Sequence, residues 1–346
     1  MFGKKKKVLG LDIGSNQTKV VELSPGKTKK LLNFGVSRVL PDAIVEGEII
    51  DRQAVLDSIR TLLETKGFTA KDVVIGVAGR DVIIKRIIMD RMSEAETREN
   101  IKWEAEQYVP FDIAEVTLDF YIVNPNYGEN QQEVILVAAK NELINNLTSL
   151  LKDLNLNPLI IDTVAFALQN VYEYNYPSSP DESVGLINIG YGMTVINVVK
   201  GGSSLSARDV YYGVNSYINK LQKEIGFNYD DAANAAKGTV PVGVSQDAIL
   251  GVFESFVNDL STQIERSLQF LTSVSGEEKV AKMYLAGGGA LIPNLIDHLK
   301  RRLNIPIEVL NPFKNILYDP NVFAPEGVDV YGPILAQAIG LALRGE

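Results

Sequence analysis

Cysteine is absent from the 346-residue chain, and histidine occurs once, at His298. The first absence excludes disulfides, thiolate metal centres and a cysteine nucleophile; the second excludes multi-histidine metal sites. One histidine, set mid-helix among charged neighbours, also leaves little room for a Ser-His-Asp triad. No apolar run reaches the ~18–20 residues that cross a bilayer. The four lysines at 4–7 are not followed by the apolar core and small-residue cleavage site of a secretory signal, so they read as a solvated tail. Positive charge is in deficit overall: 34 Lys and Arg face 43 Asp and Glu. The net charge of −9 argues against general affinity for nucleic acid. A cytoplasmic setting fits all of these absences.

What is present is the composition of an ordinary soluble globular protein, 46% hydrophobic and 22% charged. The length exceeds one usual hydrophobic core and predicts two lobes. Strand and helix patterns alternate, as in an α/β protein. Residues 8–13 make a short apolar strand with a hairpin partner at 19–23. Over 54–64, Val55, Ile59, Leu62 and Leu63 share one helical side, with Gly67 as a C-cap beyond the end. A buried strand is expected at 73–77. Ser93, with Glu96 three residues on, makes a capping box for a glutamate-rich helix over 93–109 that Pro110 ends. Trp103 leaves that helix's apolar face and is expected to anchor it on the neighbouring lobe. Strands at 117–123 and 134–139 and a helix at 142–154 suggest a small α+β unit inserted at about 85–161.

Residues 176–182, which include Pro177 and Pro180, are the best linker and put the domain boundary at 183/184. A second strand-turn-strand opens the next domain at 184–199. Helices at 215–225, 229–237 and 248–272 form a smaller subdomain there. A strand at 283–286, a helix at 294–303 and an apolar helix at 334–343 complete the chain, the last expected to pack back on the first domain.

The chemistry lies in a repeated pattern. Leu11-Asp12-Ile13-Gly14-Ser15 and Ile187-Asn188-Ile189-Gly190-Tyr191 stand 176 positions apart, each ending the first strand of its domain. One such turn is an ordinary hairpin; two at equivalent places suggest a structural duplication. Glycine lets a backbone approach a ligand closely, and turn N–H groups pointing inward make an anion nest. Two of these hairpins face to face would clamp a polyphosphate. A third element, Gly287-Gly288-Gly289 between a strand and a helix, suits a backbone laid flat against an adenine and ribose.

These three loops together resemble the actin-like ATPase superfamily. That resemblance implies two duplicated lobes around a cleft holding ATP and Mg²⁺. By position, Asp12 matches the acid that holds Mg²⁺ through its water shell. Gly14, Ser15 and Asn16 match the first phosphate hairpin, and Lys19 the lysine aimed at the phosphates. Asn188, Gly190, Gly192 and Thr194 match the second hairpin, Gly287, Gly288 and Gly289 the adenosine loop, and Lys237 a lysine beside it. Asp162, near the first interlobe connection, matches a water-orienting acid. Two positions depart from the pattern: Asn188 stands where an aspartate is usual, and Asn234 where a glutamate is. A carboxamide can hold a water but cannot take its proton. The resemblance therefore implies nucleotide binding with at most slow ATPase activity.

The unit inserted in the first domain is similar to that of the FtsA-like branch. Trp103-Glu104-Ala105-Glu106-Gln107-Tyr108-Val109-Pro110-Phe111 and the ending Ala338-Ile339-Gly340-Leu341-Ala342-Leu343-Arg344 resemble the PilM family of type IV pilus assembly. Membership would imply a cytoplasmic protein recruited to the inner membrane by the N-terminal peptide of PilN, bound in a groove between first-domain lobes. The acidic helix over 93–109 is a candidate wall. Links to pilus motor ATPases and the inner-membrane platform, and self-association, are further implications. An FtsA-like cell-division scaffold and a sugar or acetate kinase are the competing readings. Asn188 and the lack of a sugar-binding cluster count against the kinase.

Overall fold

The computed structural model describes residues 7–177, 179–275 and 279–345. Lysines 4–6 of the expected tail lie outside the described residues; Lys7 pairs with the buried Glu22. The chain opens with β1 (Val8–Ile13), β2 (Gln17–Leu23) and β3 (Leu31–Arg38), then a short hairpin of β4 (Ile44–Val45) and β5 (Glu48–Ile49). Helix α1 (Arg52–Thr65) and β6 (Asp72–Val77) follow. The inserted unit holds β7 (Val82–Asp90), α2 (Glu94–Ala105), β8 (Val116–Asn124) and β9 (Gln131–Lys140). Helix α3 (Asn141–Asp153), β10 (Asn157–Thr163) and α4 (Val164–Asn175) end the first half. The second half runs β11 (Ser183–Ile189), β12 (Thr194–Lys200), β13 (Ser203–Val210), α5 (Val214–Ile225), α6 (Tyr229–Ala236) and α7 (Gln246–Ser275). It ends with β14 (Val280–Ala286), α8 (Leu295–Leu303), β15 (Ile307–Val309) and α9 (Val328–Arg344).

The duplication extends to whole sheets. One has the order β10-β6-β1-β2-β3 and the other β15-β14-β11-β12-β13. In each, the first strand pairs antiparallel with its hairpin partner and parallel with the strand on its other side. Strands β11 and β12 are buried almost without a break, because helices cover both faces of their sheet. That is why they read as continuous apolar runs and not as alternating ones.

Helices α4 and α9 cross between the lobes. Helix α9, from the second half, packs on β1, β2 and β6 of the first sheet, and α4, from the first half, packs on β11, β12 and β13. The two also pack on each other. The crossing leaves no room for side chains: a methyl on Gly340 would run into the carbonyl of Ala167, and one on Gly10 into that of Ala338. One buried cluster consequently draws on both halves, with Val21, Leu23 and Phe34 beside Leu186, Val195, Leu335 and Ile339. The linker expected at 176–182 begins in packed structure. Tyr176 is buried, stacks on Tyr172, and its hydroxyl accepts from the Asn311 N–H at 2.9 Å.

The inserted unit is shorter than expected. Its three-stranded sheet, β7-β9-β8, closes at Lys140. Helix α3 instead packs Leu147, Leu150 and Leu151 against the first lobe with Leu9, Leu11 and Ile75, and β10 joins the main sheet. Helical periodicity in α3 shows an apolar stripe but not which core receives it. The capping box at Ser93 and Glu96 is present. Trp103, expected as an anchor, is 70% exposed. Small local clusters support the unit, including Ile87, Ile101, Val134 and Leu136. It also touches the second lobe: Arg86 holds Glu133 through two bonds, of 2.5 and 2.7 Å, and donates to the Ser204 carbonyl at 3.2 Å.

The crossing makes a direct prediction. Gly340→Ala should lower unfolding stability by about 1–3 kcal/mol or more, since backbone must move to admit the methyl. Gly251→Ala, in the open on α7, should instead raise it by about 0.5–1 kcal/mol. Paired urea melts read both, and equal effects at the two sites would contradict the close crossing.

Candidate functional site

Both first hairpins close in the same way. The Gly14 N–H donates to the Gln17 carbonyl at 3.2 Å, and the Gly190 N–H to the Met193 carbonyl at 2.9 Å. A Cβ at either glycine would sit 2.9 or 2.7 Å from that same carbonyl, so each turn needs glycine for space. The tips face each other: a Cβ on Gly192 would lie 3.3 Å from the Ser15 hydroxyl. Between them opens a cleft of about 1500 Å³ lined by the two lobes, with Lys140 at the edge of the inserted unit. Its lining includes Asp12, Gly14, Ser15, Asn16 and Lys19 of the first hairpin and Asn188, Gly190 and Gly192 of the second. Asn234 and Lys237, at the end of α6, line it as well.

Strand register places the charged pair. Asp12 lies directly opposite Lys19 across β1 and β2, and the Lys19 ammonium donates to Asp12 Oδ2 at 2.9 Å. The equivalent pair in the second hairpin is Asn188 opposite Val195, with no charge at either position. The Asp12 side chain is buried, and its other oxygen, Oδ1, accepts from Gln337 Nε2 at 2.9 Å. Gln337 Oε1 in turn accepts from Asn188 Nδ2 at 3.3 Å. A continuous polar chain, Lys19–Asp12–Gln337–Asn188, thus joins the two hairpins through α9.

The three-glycine loop divides its work. Gly287 has φ +82°, a conformation other residues resist, and a Cβ there would meet the Ile189 carbonyl and, at 2.7 Å, Asn188 Oδ1. A methyl on Gly289 would run into the Ile189 side chain. Both glycines therefore let the loop lie against the second hairpin. Gly288 has nothing near its added Cβ and faces the cleft. Gly287 borders the cleft as well, so two of the three glycines reach it and Gly289 does not.

Three expected residues in all are not brought to the cleft. Gly289 is buried behind the loop. Thr194 is fully buried in β12, and its hydroxyl donates to the Tyr212 carbonyl at 2.7 Å. Asp162 lies under the end of α9, where Oδ1 accepts from the Thr163 N–H at 2.7 Å and Oδ2 lies 3.5 Å from Arg344 Nε. Burial pushes its carboxyl above the usual range, while the Thr163 N–H and the Arg344 guanidinium pull it back. Its oxygens are engaged at the α4–α9 crossing, away from the hairpins.

Gln337 escaped the sequence reading, yet a signal was there. It is the single polar residue in the apolar run from Ile334 to Leu343, and a buried amide needs partners. Tyr191 also reaches the site, donating from its hydroxyl to that of Tyr229 at 3.2 Å across to α6. Among the described residues no group of three or more His, Cys, Asp or Glu gathers as a metal cluster. The first hairpin brings one carboxylate, Asp12, to the cleft, which fits Mg²⁺, an ion that phosphate sites hold with one or two carboxylates, waters and the phosphates themselves. No helix of the described residues is long and apolar enough to cross a membrane.

Known structures share the arrangement. MreB5 of Spiroplasma citri, solved with AMPPNP, superposes with a TM-score of 0.55 at 13% identity, over 97% of this chain and 95% of that one. The ethanolamine utilization protein EutJ from Carboxydothermus hydrogenoformans gives 0.54 at 12% identity, over 97% and 88%. At these identities the likeness establishes the two-lobed actin-like fold alone. A PilM–PilN type IV pilus biogenesis complex is far more similar, with a TM-score of 0.87 and 27% identity over 98% of both chains. The family model for type IV pilus assembly protein PilM matches residues 10–346. With that match covering nearly its whole length, the chain belongs to the PilM family of type IV pilus assembly proteins.

Proposed function

We propose that this chain is a cytoplasmic scaffold of type IV pilus assembly that holds ATP with Mg²⁺ and binds the N-terminal cytoplasmic peptide of the inner-membrane protein PilN. The likeness to a PilM in complex with PilN, over 98% of both chains, is the observation that carries this reading. The nucleotide half is supported by the opposed hairpins. Residues of both turns and Lys19 line one space, the placement polyphosphate recognition requires. The cleft exceeds the roughly 300–1,000 Å³ of a usual small-molecule site, so a nucleoside triphosphate has room.

Within it, Asp12 is the carboxylate that would hold Mg²⁺ through water, and Gly14, Ser15, Asn16, Gly190 and Gly192 would line the phosphates. Gly288, Asn234 and Lys237 would flank the nucleoside. Bound Mg²⁺ would neutralise phosphate charge. In the polar chain between the hairpins Asn188 and Gln337 are amides and Asp12 is paired with Lys19, while Asp162 is engaged elsewhere. Holding the nucleotide, with slow hydrolysis at most, is the behaviour this favours.

For the peptide, the cleft continues along the first lobe to the edge of the inserted unit, past Ile49, Arg52, Asp81, Lys140 and Leu143. This arm combines apolar lining with charges of both signs. It would take an extended segment whose membrane anchor lies in PilN itself.

Two measurements test the reading. In calorimetric titration with MgATP, Lys19→Ala should weaken binding roughly 10- to 100-fold, the worth of a hydrogen bond to a charged group. A parent protein that binds no MgATP would remove the nucleotide half. In fluorescence anisotropy, a labelled PilN N-terminal peptide should bind and a scrambled one should not. Leu143→Glu should cut peptide affinity about tenfold, near 1.4 kcal/mol, without changing that for MgATP. Equal binding of both peptides would sink the pilus half.

A further inference from the structure

We infer that Gln337 is a positioning residue for the cleft, whose amide sets the hydrogen-bond polarity between the two hairpins and makes a carboxamide, not a carboxylate, obligatory at position 188. The polarity follows from Asp12. An ionised carboxylate only accepts, and Lys19 already donates to Oδ2. The end of Gln337 that lies 2.9 Å from Oδ1 must therefore be its nitrogen. Its carbonyl end is then turned to residue 188, at 3.3 Å, and that residue has to donate. Asparagine does; aspartate would set oxygen against oxygen. Flipping the amide of Gln337 only moves the conflict to Asp12, since one amide between two carboxylates satisfies one of them. Asp12 and Gln337 are 4% and 8% exposed, so water reaches their shared bond poorly, while position 188 is half-buried at the cleft.

Gln337 can impose this because its helix is held. One turn on, Gly340 abuts the backbone at Ala167. One turn back, the Pro333 carbonyl accepts from the Gly287 N–H at 2.8 Å. The turn of α9 from Pro333 to Gln337 thus contacts the first hairpin at Asp12, the second at Asn188 and the glycine loop at Gly287. All three cleft elements are registered against a single helical turn, through hydrogen bonds that need no metal. Asn188, which looks in sequence like the loss of an acid, is the match to Gln337.

The relay is a property of the folded chain; its consequence for ligand affinity rests on the nucleotide reading above. A double-mutant cycle on the full chain in metal- and nucleotide-free buffer tests the relay. Asn188→Asp should lower Tm by about 2–4 °C in the parent. It should change Tm by less than about 1 °C in a Gln337→Leu background, where no amide remains to conflict with it. Asn188→Asp with Gln337→Lys should recover most of the loss, since an ammonium can donate to both carboxylates. Additive effects, or no recovery with lysine, would overturn the proposal. MgATP titration supplies the second arm: Gln337→Leu should weaken binding roughly tenfold, near 1.4 kcal/mol, through displaced hairpins. An unchanged Kd would overturn the positioning role. A parent that shows the Tm coupling but binds no MgATP would leave the polarity rule standing and remove the nucleotide reading alone.

Discussion

The crossing of α4 and α9 is the contact on which the rest of the structure depends. Each half of the chain lends a helix to the other half's sheet, and the two helices meet where Gly340 lies against the backbone of Ala167. Gly10 makes the same allowance on the sheet below, against Ala338. Close packing at such points is stiff, because added volume has to be met by moving backbone. The lobes therefore share a core at the floor of the cleft and separate only above it. A pair of domains divided cleanly at residue 183 would have no such floor.

From that floor the cleft inherits its geometry. Helix α9 brings Gln337 to Asp12 and Asn188 and brings the Pro333 carbonyl to Gly287. The first hairpin carries the charge, with Asp12 and Lys19 face to face across the strands. The second is its neutral copy, with Asn188 opposite Val195. A duplicated fold has kept the backbone device in both places while concentrating ionic chemistry in one. A site of that kind suits a protein whose task is to hold a ligand and a partner in register.

Much of this was legible in residue order. The hairpin glycines are tied to short turns, and the contacts that demand them, Gly14 to Gln17 and Gly190 to Met193, span three residues. The capping box at Ser93 is equally local. Thr194 and Asp162 were harder, because their side chains have polar neighbours that only folding supplies, the Tyr212 carbonyl and Arg344. The end of the inserted unit was misplaced for a similar reason. Leu147, Leu150 and Leu151 announce an apolar helical face, but nothing in their spacing says that Leu9 and Ile75 will cover it. Trp103, an expected anchor, turned out to face solvent, and Tyr176, in an expected linker, turned out to be buried.

By itself the sequence determined the elements, the duplication and the residue types at the two hairpins, since periodicity, turn chemistry and glycine placement act over a few residues. It also excluded thiolate and multi-histidine chemistry by composition alone. Only the tertiary structure decided that Gly289 packs behind its loop while Gly287 and Gly288 border the cleft, that Asp162 lies outside it, and that residue 188 has to donate. Those outcomes depend on atoms far apart in sequence: Asp12 and Gln337 are separated by 325 positions, and their bond exists because α9 returns to the first sheet. Hydrogen-bond polarity is a property of such meetings, so an asparagine that looked like a missing acid acquired its reason only once its partner was in place.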